Sequence, residues 1–351
     1  TKTYGLSVAR QLRDMAVLAL SSCRLSPDEY IRYALFRPSL SMADKKSFVS
    51  GLSGSRLNRR LTVPGRGVPA LTSHKVLTAF LLQGAGIPTT PNLALYCPDA
   101  PLPGLRHLQD AAGLTRYLAE EAPLPCFGKP LDGTFAIGGA AFVGRKAGRL
   151  VLSDGNELPP EEFTAAVLRN FPRGYLFQPL LRMHPALQPL CGAAVGSLRI
   201  VTLMGPHGPE ALYAVFKIPG KGAMTDGPSG EKPNGMALVD LASGAFTRAQ
   251  FNSVTNLEVM TEALMAPIPL AEIVIPEMPK AVALACETHR LFPTHGILGI
   301  DVLITEDGPL IGEVNTNPVH TLYQRAADKG LLHPAFKARL DETEALMRCR
   351  G

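Results

Sequence analysis

Two runs of β-forming residues, Ile297–Ile304 and Pro309–Val314, flank the turn Glu306-Asp307-Gly308. Short apolar runs on either side of an Asp-Gly turn predict an antiparallel hairpin. Asp301 sits near the centre of the first run, Glu313 and Asn315 on or at the end of the second. Glu313 and Asn315 are two residues apart, so their side chains share a face. Their neighbours Ile300, Val302, Ile311 and Val314 are apolar. A carboxylate in such surroundings is costly to bury unless it is paired or holds a metal. Magnesium takes oxygen ligands from a few carboxylates together with substrate phosphates, and this trio suits it. Incidental acids on the solvent face of a hairpin are the alternative.

A second feature lies about 170 residues upstream: Gly128-Lys129-Pro130, then a glycine-rich stretch holding Gly133, Thr134, Gly138 and Gly139. Glycines let backbone N–H groups approach phosphate oxygens, and a lysine supplies a point charge. The spacing is not that of a Walker A loop. A glycine-rich hairpin turn is the competing reading.

The chain is 351 residues long, which predicts two or three packed units. Residues 1–65 read as a helical region. Ser26, Pro27 and Glu29 mark a helix start there, and Gly51 and Gly54 are expected to break the pattern. Residues 66–125 read as a small α/β unit, with Ser73 as the expected cap of a helix that stops near Gly84. From residue 126 the texture turns to strands. Residues 126–180 form one expected subdomain and 181–351 a second, which carries the acids. The fold class is α/β (α+β). Hydrophobic residues make up 46%, enough for a substantial core, and the formal net charge of +5 is too small to predict nucleic-acid binding. No apolar run reaches the length of a membrane span. The six cysteines form no C-x-x-C pair and read as reduced thiols, as expected of a cytoplasmic chain.

In this order and at this distance, the lysine–glycine stretch and the acidic hairpin resemble the ATP-grasp superfamily, which includes D-alanine–D-alanine ligase and the ribosomal-protein glutamate ligases. The order of parts matches from about residue 70 to 325. The resemblance implies that Lys75 and Lys129 are the two nucleotide-binding lysines, and that Gly133 to Gly139, with Thr134, form the loop that closes over the phosphates. Gln178 and Leu180, in Phe177-Gln178-Pro179-Leu180-Leu181, resemble the hinge strand beside the adenine. Many relatives carry an acid at the position of Gln178, and many peptide ligases carry arginine at that of Gly299. Arg199 resembles the arginine that faces phosphoryl transfer. Lys217 and Lys221 flank a further loop and are candidates to reach the γ-phosphate or an acidic substrate. Asp301, Glu313 and Asn315 resemble the ligands of two magnesium ions, with manganese as an expected substitute. The helical start and the strand Gly196-Ser-Leu-Arg199-Ile-Val-Thr202 are similar to the sugar-transfer-associated branch, whose name links it to polysaccharide synthesis.

The implied activity is that of an ATP-dependent carboxylate–amine ligase, with a small-molecule carboxylate and amine as partners and an acyl phosphate between them. A phosphotransferase acting on a hydroxyl and a nucleotide-binding module without turnover are the rival readings. The single histidines His184 and His320 are expected to be structural or exposed.

Overall fold

In the computed structural model, residues 7–99, 101–131, 138–192, 194–220, 234–251 and 272–351 are described. The N-terminal region is cut into four helices, α1 (Val8–Leu20), α2 (Pro27–Arg32), α3 (Met42–Lys46) and α4 (Gly51–Arg60). Serine caps explain the cuts. The expected capping box forms at α2: Ser26 Oγ accepts from the Glu29 N–H at 3.2 Å, and Glu29 Oε2 accepts from the Ser26 N–H at 2.8 Å. Ser41 and Ser50 cap α3 and α4 in the same way. Gly51 and Gly54 do not break the chain but lie inside α4. Tertiary contact overrides propensity here, because a Cβ on Gly54 would stand 3.4 Å from the His320 ring.

Helices α5 (Pro69–Ser73) and α6 (Lys75–Gly84) follow. The cap of α6 is His74, not Ser73: the His74 side chain accepts from the Leu77 N–H, while Ser73 closes α5. Next come β1 (Ala94–Tyr96), β2 (Arg106–Leu108), α7 (Ala111–Arg116), β3 (Cys126–Pro130), β4 (Ala140–Lys146), β5 (Arg149–Leu152), β6 (Glu157–Leu158), α8 (Pro160–Asn170) and β7 (Tyr175–Pro179). These strands form a seven-stranded sheet of order β2-β1-β7-β3-β4-β5-β6. Residues on both sides of position 125 therefore share one sheet.

The second sheet holds β8 (Ser197–Gly205), β9 (Gly208–Ile218), β10 (Gly235–Val239), β11 (Phe246–Phe251), β12 (Ile297–Thr305) and β13 (Gly308–Asn315), in the order β11-β10-β9-β8-β12-β13. Helix α9 (Gln188–Cys191) precedes it, and α10 (Met278–Arg290), α11 (Thr321–Ala326) and α12 (Pro334–Cys349) are further helices among the described residues. Alternation along β8 and β12 sorts the core. Leu198, Ile200, Ile300 and Val302 meet α10 residues Ala281 and Ala285 on one face. Val201, Leu203 and Ile297 meet Leu57 and Leu61 of α4, Tyr323 of α11 and Leu340 of α12 on the other. Burying each large side chain contributes ~1.5–3 kcal/mol, so the helical start is fastened to the sheet through its own core residues.

The expected hairpin at 297–315 forms, with one irregularity. Thr305 pairs Gly308 and Val302 pairs Ile311, but Asp301 pairs Glu313. Gly312 is the extra residue of a β-bulge. Without it Asp301 would face Gly312, and Glu313 would point to the opposite side of the sheet. The segment after α6 docks on this hairpin. Thr89 Oγ1 donates to the Ile311 carbonyl at 2.7 Å, and the Ile311 N–H donates to the Pro88 carbonyl at 2.8 Å.

Candidate active site

A row of directly opposed residues crosses four strands: Glu313 on β13, Asp301 on β12, Arg199 on β8 and Val215 on β9. Opposed residues point to the same face, so Asp301 meets Arg199 head-on. Arg199 Nε donates to Asp301 Oδ1, and an Arg199 terminal nitrogen donates to Oδ2 at 2.8 Å. Lys217 Nζ reaches Oδ2 as well, at 3.1 Å. Asp301 is 4% exposed and Arg199 8%. Burial alone would raise the Asp301 pKa, but Arg199 and then Lys217 outweigh it and hold the carboxyl below its usual range. Burial likewise works against the Arg199 charge, and Asp301 more than restores it.

The group thus has two cations on one carboxylate, with Glu313 beside it and exposed. Asn315 lies two residues on, and its buried Nδ2 has no hydrogen-bond partner among the described residues. Turned over, that amide would present its oxygen on the same side. The oxygen donors of Asp301, Glu313 and Asn315 match the chemistry of a hard divalent cation. Both Asp301 oxygens are engaged by Arg199 and Lys217, so such an ion would share this carboxylate and take Glu313 and Asn315 as its less committed donors.

Glu313 also lines a cleft between the two sheets. Lys75 and Thr78 reach it from α6, Lys129 from β3 and Gln178 from β7, with Thr89, Thr90 and Gly312 completing the wall. Lys75 Nζ donates to the Leu131 carbonyl at 2.8 Å, which aims the side chain across the sheet toward β3. Burial first, and the neighbouring Lys75 second, push the Lys129 pKa down to about 8, while Glu313 opposes the shift. Two lysines held this close form a site that a polyanion would stabilise. Gln178 Nε2 donates to Asn92 Oδ1 at 2.8 Å, and Leu180 follows β7 with its N–H on the Pro125 carbonyl at 3.2 Å.

Of the glycine-rich stretch, Gly133 and Thr134 lie outside the described residues, as does Lys221. Gly138 has φ +84°, its carbonyl accepts from the Tyr175 hydroxyl at 2.8 Å, and a Cβ there would fall 2.2 Å from Phe171. Glycine is required at this turn. Gly139 leads from it into β4. His320 is buried between the Tyr213 hydroxyl at 3.0 Å and Asn58 Oδ1 at 2.8 Å, and burial, then Arg199, push its pKa down to about 3. It is a neutral structural link. His184 is likewise structural and accepts from the Ala186 N–H.

Sequence reasoning missed Asn92, Asn58 and the threonines of the cleft wall. Asn58 Nδ2 donates to Asn317 Oδ1 at 2.8 Å and to the Pro318 carbonyl at 3.1 Å, bracing the turn that follows the acidic hairpin. Asn58 lies 257 residues before Asn315, and no local pattern connects them.

A family model described as sugar-transfer associated ATP-grasp matches residues 162–339. No curated protein matches the chain. Among solved structures, the D-alanine–D-alanine ligase from Coxiella burnetii is 17% identical, with a TM-score of 0.41, covering 80% of this chain and 58% of its own. The VanG D-Ala:D-Ser ligase from Enterococcus faecalis is 14% identical, with a TM-score of 0.46 and coverages of 79% and 62%. An L-amino acid ligase from Bacillus licheniformis is 13% identical, with a TM-score of 0.42 and coverages of 80% and 50%. The chain spans less than two thirds of the length of each of these. Among the described residues no helix is long and apolar enough to cross a membrane.

Proposed function

Because the chain belongs to the sugar-transfer associated ATP-grasp family, we propose that it is an ATP-dependent ligase that activates a carboxylate as an acyl phosphate and joins it to an amine. One observation carries this reading: two lysines and Gln178 from the seven-stranded sheet and its flanking helix share a cleft with Glu313 of the acidic hairpin, beside the Arg199–Asp301–Lys217 group. The two sheets then act as the two jaws of the nucleotide site.

In this reaction a substrate carboxylate oxygen attacks the γ-phosphorus of ATP, and the bond to the β–γ bridging oxygen breaks to release ADP. An amine nitrogen then attacks the acyl carbon and expels phosphate, losing its proton to the phosphate or to solvent. Most of the protein's work is positioning and charge neutralisation. Lys75 and Lys129 hold the nucleotide phosphates. Gln178 and Leu180 edge the base, and Gly138 and Gly139 end the loop that covers the phosphates. Arg199 and Lys217 stand where negative charge builds on the transferring group, and their shared carboxylate keeps them aimed before substrate arrives. Asp301, Glu313 and Asn315 would hold magnesium, or manganese in its place, and the bound ions would neutralise the β- and γ-oxygens.

Hydroxylamine intercepts acyl phosphates and leaves phosphate esters untouched. With ATP, magnesium and a panel of amino acids and sugar acids, hydroxamate should form in step with ADP for at least one carboxylate. ADP accompanied by a stable phosphate ester would replace the ligase reading with a kinase.

A further inference from the structure

The row of opposed residues does not end at Val215. It continues through Leu238 on β10 to Arg248 on β11. Arg248 therefore faces the same side of the sheet as Arg199, three strands away, or about 14 Å at the usual strand spacing. Between them Val215 is fully buried, and α11 lies across β9, β10 and β11. The two arginines are on one face but in different compartments.

Around Arg248 is a cavity of about 300 Å³. Its wall includes Arg32 at the end of α2, Arg37 in the turn that follows, Arg325 on α11, and Asp328. Asp328 accepts both Arg37 terminal nitrogens at 2.6 Å and stands 3.6 Å from Arg248. Asp28 takes Arg32 at 2.7 Å. Four guanidinium groups thus face two carboxylates, an excess of two positive charges. The Nε atoms of Arg32 and Arg248 are buried, with no hydrogen-bond partner among the described residues. Arg325 is 3% exposed, one of its terminal nitrogens donates to the Phe251 carbonyl at 2.7 Å, and burial first, then the charge of Arg32, pull its pKa down to about 10. Like charges gathered at such cost are a standing demand for an anion.

We propose that this cavity is a second ligand site, separate from the nucleotide cleft, that binds the phosphate group of a small phosphorylated molecule. The charge count favours phosphate over carboxylate, since a phosphomonoester carries close to two negative charges near neutral pH. Guanidinium forks match its oxygens in pairs. The cavity exceeds what a bare phosphate ion fills and reaches the small end of organic ligand pockets. Tyr33 and Phe36 supply apolar wall for the organic part. The site joins the helical start to the six-stranded sheet, which gives residues 1–65 a binding role besides packing. The proposal stands whether or not the ligase reading does.

Calorimetric titration of the full chain, saturated with a non-hydrolysable ATP analogue and magnesium to block the cleft, tests it. The probes are inorganic phosphate, a hexose phosphate and succinate. Phosphate probes should bind, the hexose phosphate more tightly than the free ion and succinate at least about tenfold more weakly. Equal affinity for the two phosphates would assign the site to the free ion within the same chemistry. Arg248→Gln and Arg32→Gln should each weaken the phosphate probes by about tenfold or more, the value of a charge-assisted contact, and leave affinity for the ATP analogue unchanged. Melting curves establish that each variant is folded. Absence of phosphate binding, equal binding of succinate, or undiminished binding in both folded variants would overturn the proposal.

Discussion

The Lys45–Asp14 pair beneath the N-terminal helices and the Arg199–Asp301–Lys217 group on the six-stranded sheet are both buried, yet they are built to different ends. Lys45 Nζ meets Asp14 Oδ2 at 2.7 Å with both side chains 2% exposed, and it lies 5.9 Å from the centre of the Tyr30 ring. One buried cation answers one buried anion, with the exposed Arg13 reaching the other Asp14 oxygen at 3.5 Å from the surface side, and the rest of the wall is the apolar cluster of Leu18, Tyr30, Tyr33, Leu35 and Phe48. On the sheet, two cations share one carboxylate, and exposed Glu313 stands next in the row. Burial of charge therefore does not mark a working site in this molecule. What distinguishes the proposed site is an unbalanced count of buried charge and an open side, which leave field available for the proposed substrate.

The largest effect should come from breaking the balanced pair. Asp14→Asn leaves Lys45 buried without a counter-charge and should cost about 3–5 kcal/mol of stability. Denaturant unfolding measures this, and the fraction that stays folded should bind ATP with unchanged affinity. Weakened nucleotide binding in folded protein would erase the contrast between the two groups.

The unbalanced group should answer differently at its two carboxylates. Glu313→Gln should cut turnover by at least about 100-fold with little change in the melting midpoint, because Glu313 is exposed and in the proposed reaction its role is toward ligand. Asp301→Asn should lose turnover and also stability, since it strands Arg199 and Lys217. Equal stability loss in the two variants would mean that Glu313 is as structural as Asp301.

Lys129 extends the comparison to a cation that shares its site with another cation. Lys129→Ala should weaken ATP by roughly 1.5–3 kcal/mol in calorimetry. Removing it should not destabilise the free protein, because it relieves the burial and repulsion that push its pKa down to about 8. A clear fall in stability would make it a structural lysine like Lys45.

The smallest effect separates buried charge from buried neutrality. His289 is fully buried, with Nδ1 on Thr202 Oγ1 at 2.7 Å and Nε2 on the His295 carbonyl at 2.7 Å, and burial pushes its pKa down to about 4. Its folded pKa lies below the unfolded value of about 6.5, so the unfolded chain binds more protons between these values. Stability should fall as pH drops through that window, by about 1.4 kcal/mol at pH 5.5 from this group. Asp14, whose pKa is held low by Lys45 and then Arg13 against burial, contributes its own loss only at more acid pH, below the ordinary carboxylate value of 3.8. Unfolding curves at pH 7.5 and 5.5 should show the difference in wild type and a reduced one in His289→Asn.

Local pattern was enough for much of this protein. The capping box at Ser26, the helix that stops near Gly84 and the 297–315 hairpin are each written in a few consecutive residues, because caps, turns and side-chain alternation act over one to four positions. The lysine–glycine stretch and the three oxygen-bearing residues were legible for the same reason. Other features needed the folded chain. Gly312 reads as one more glycine until the register shows that it turns Glu313 toward Asp301. Gly51 and Gly54 read as breakers until α4 meets His320. Asn92 under Gln178, Asn58 under Pro318, and the arginines 32, 37, 248 and 325 around one cavity come from distant parts of the sequence. Which residues meet across a sheet depends on strand order and on single-residue shifts of register. Those are settled by the packing of whole layers, so no stretch of sequence carries them alone.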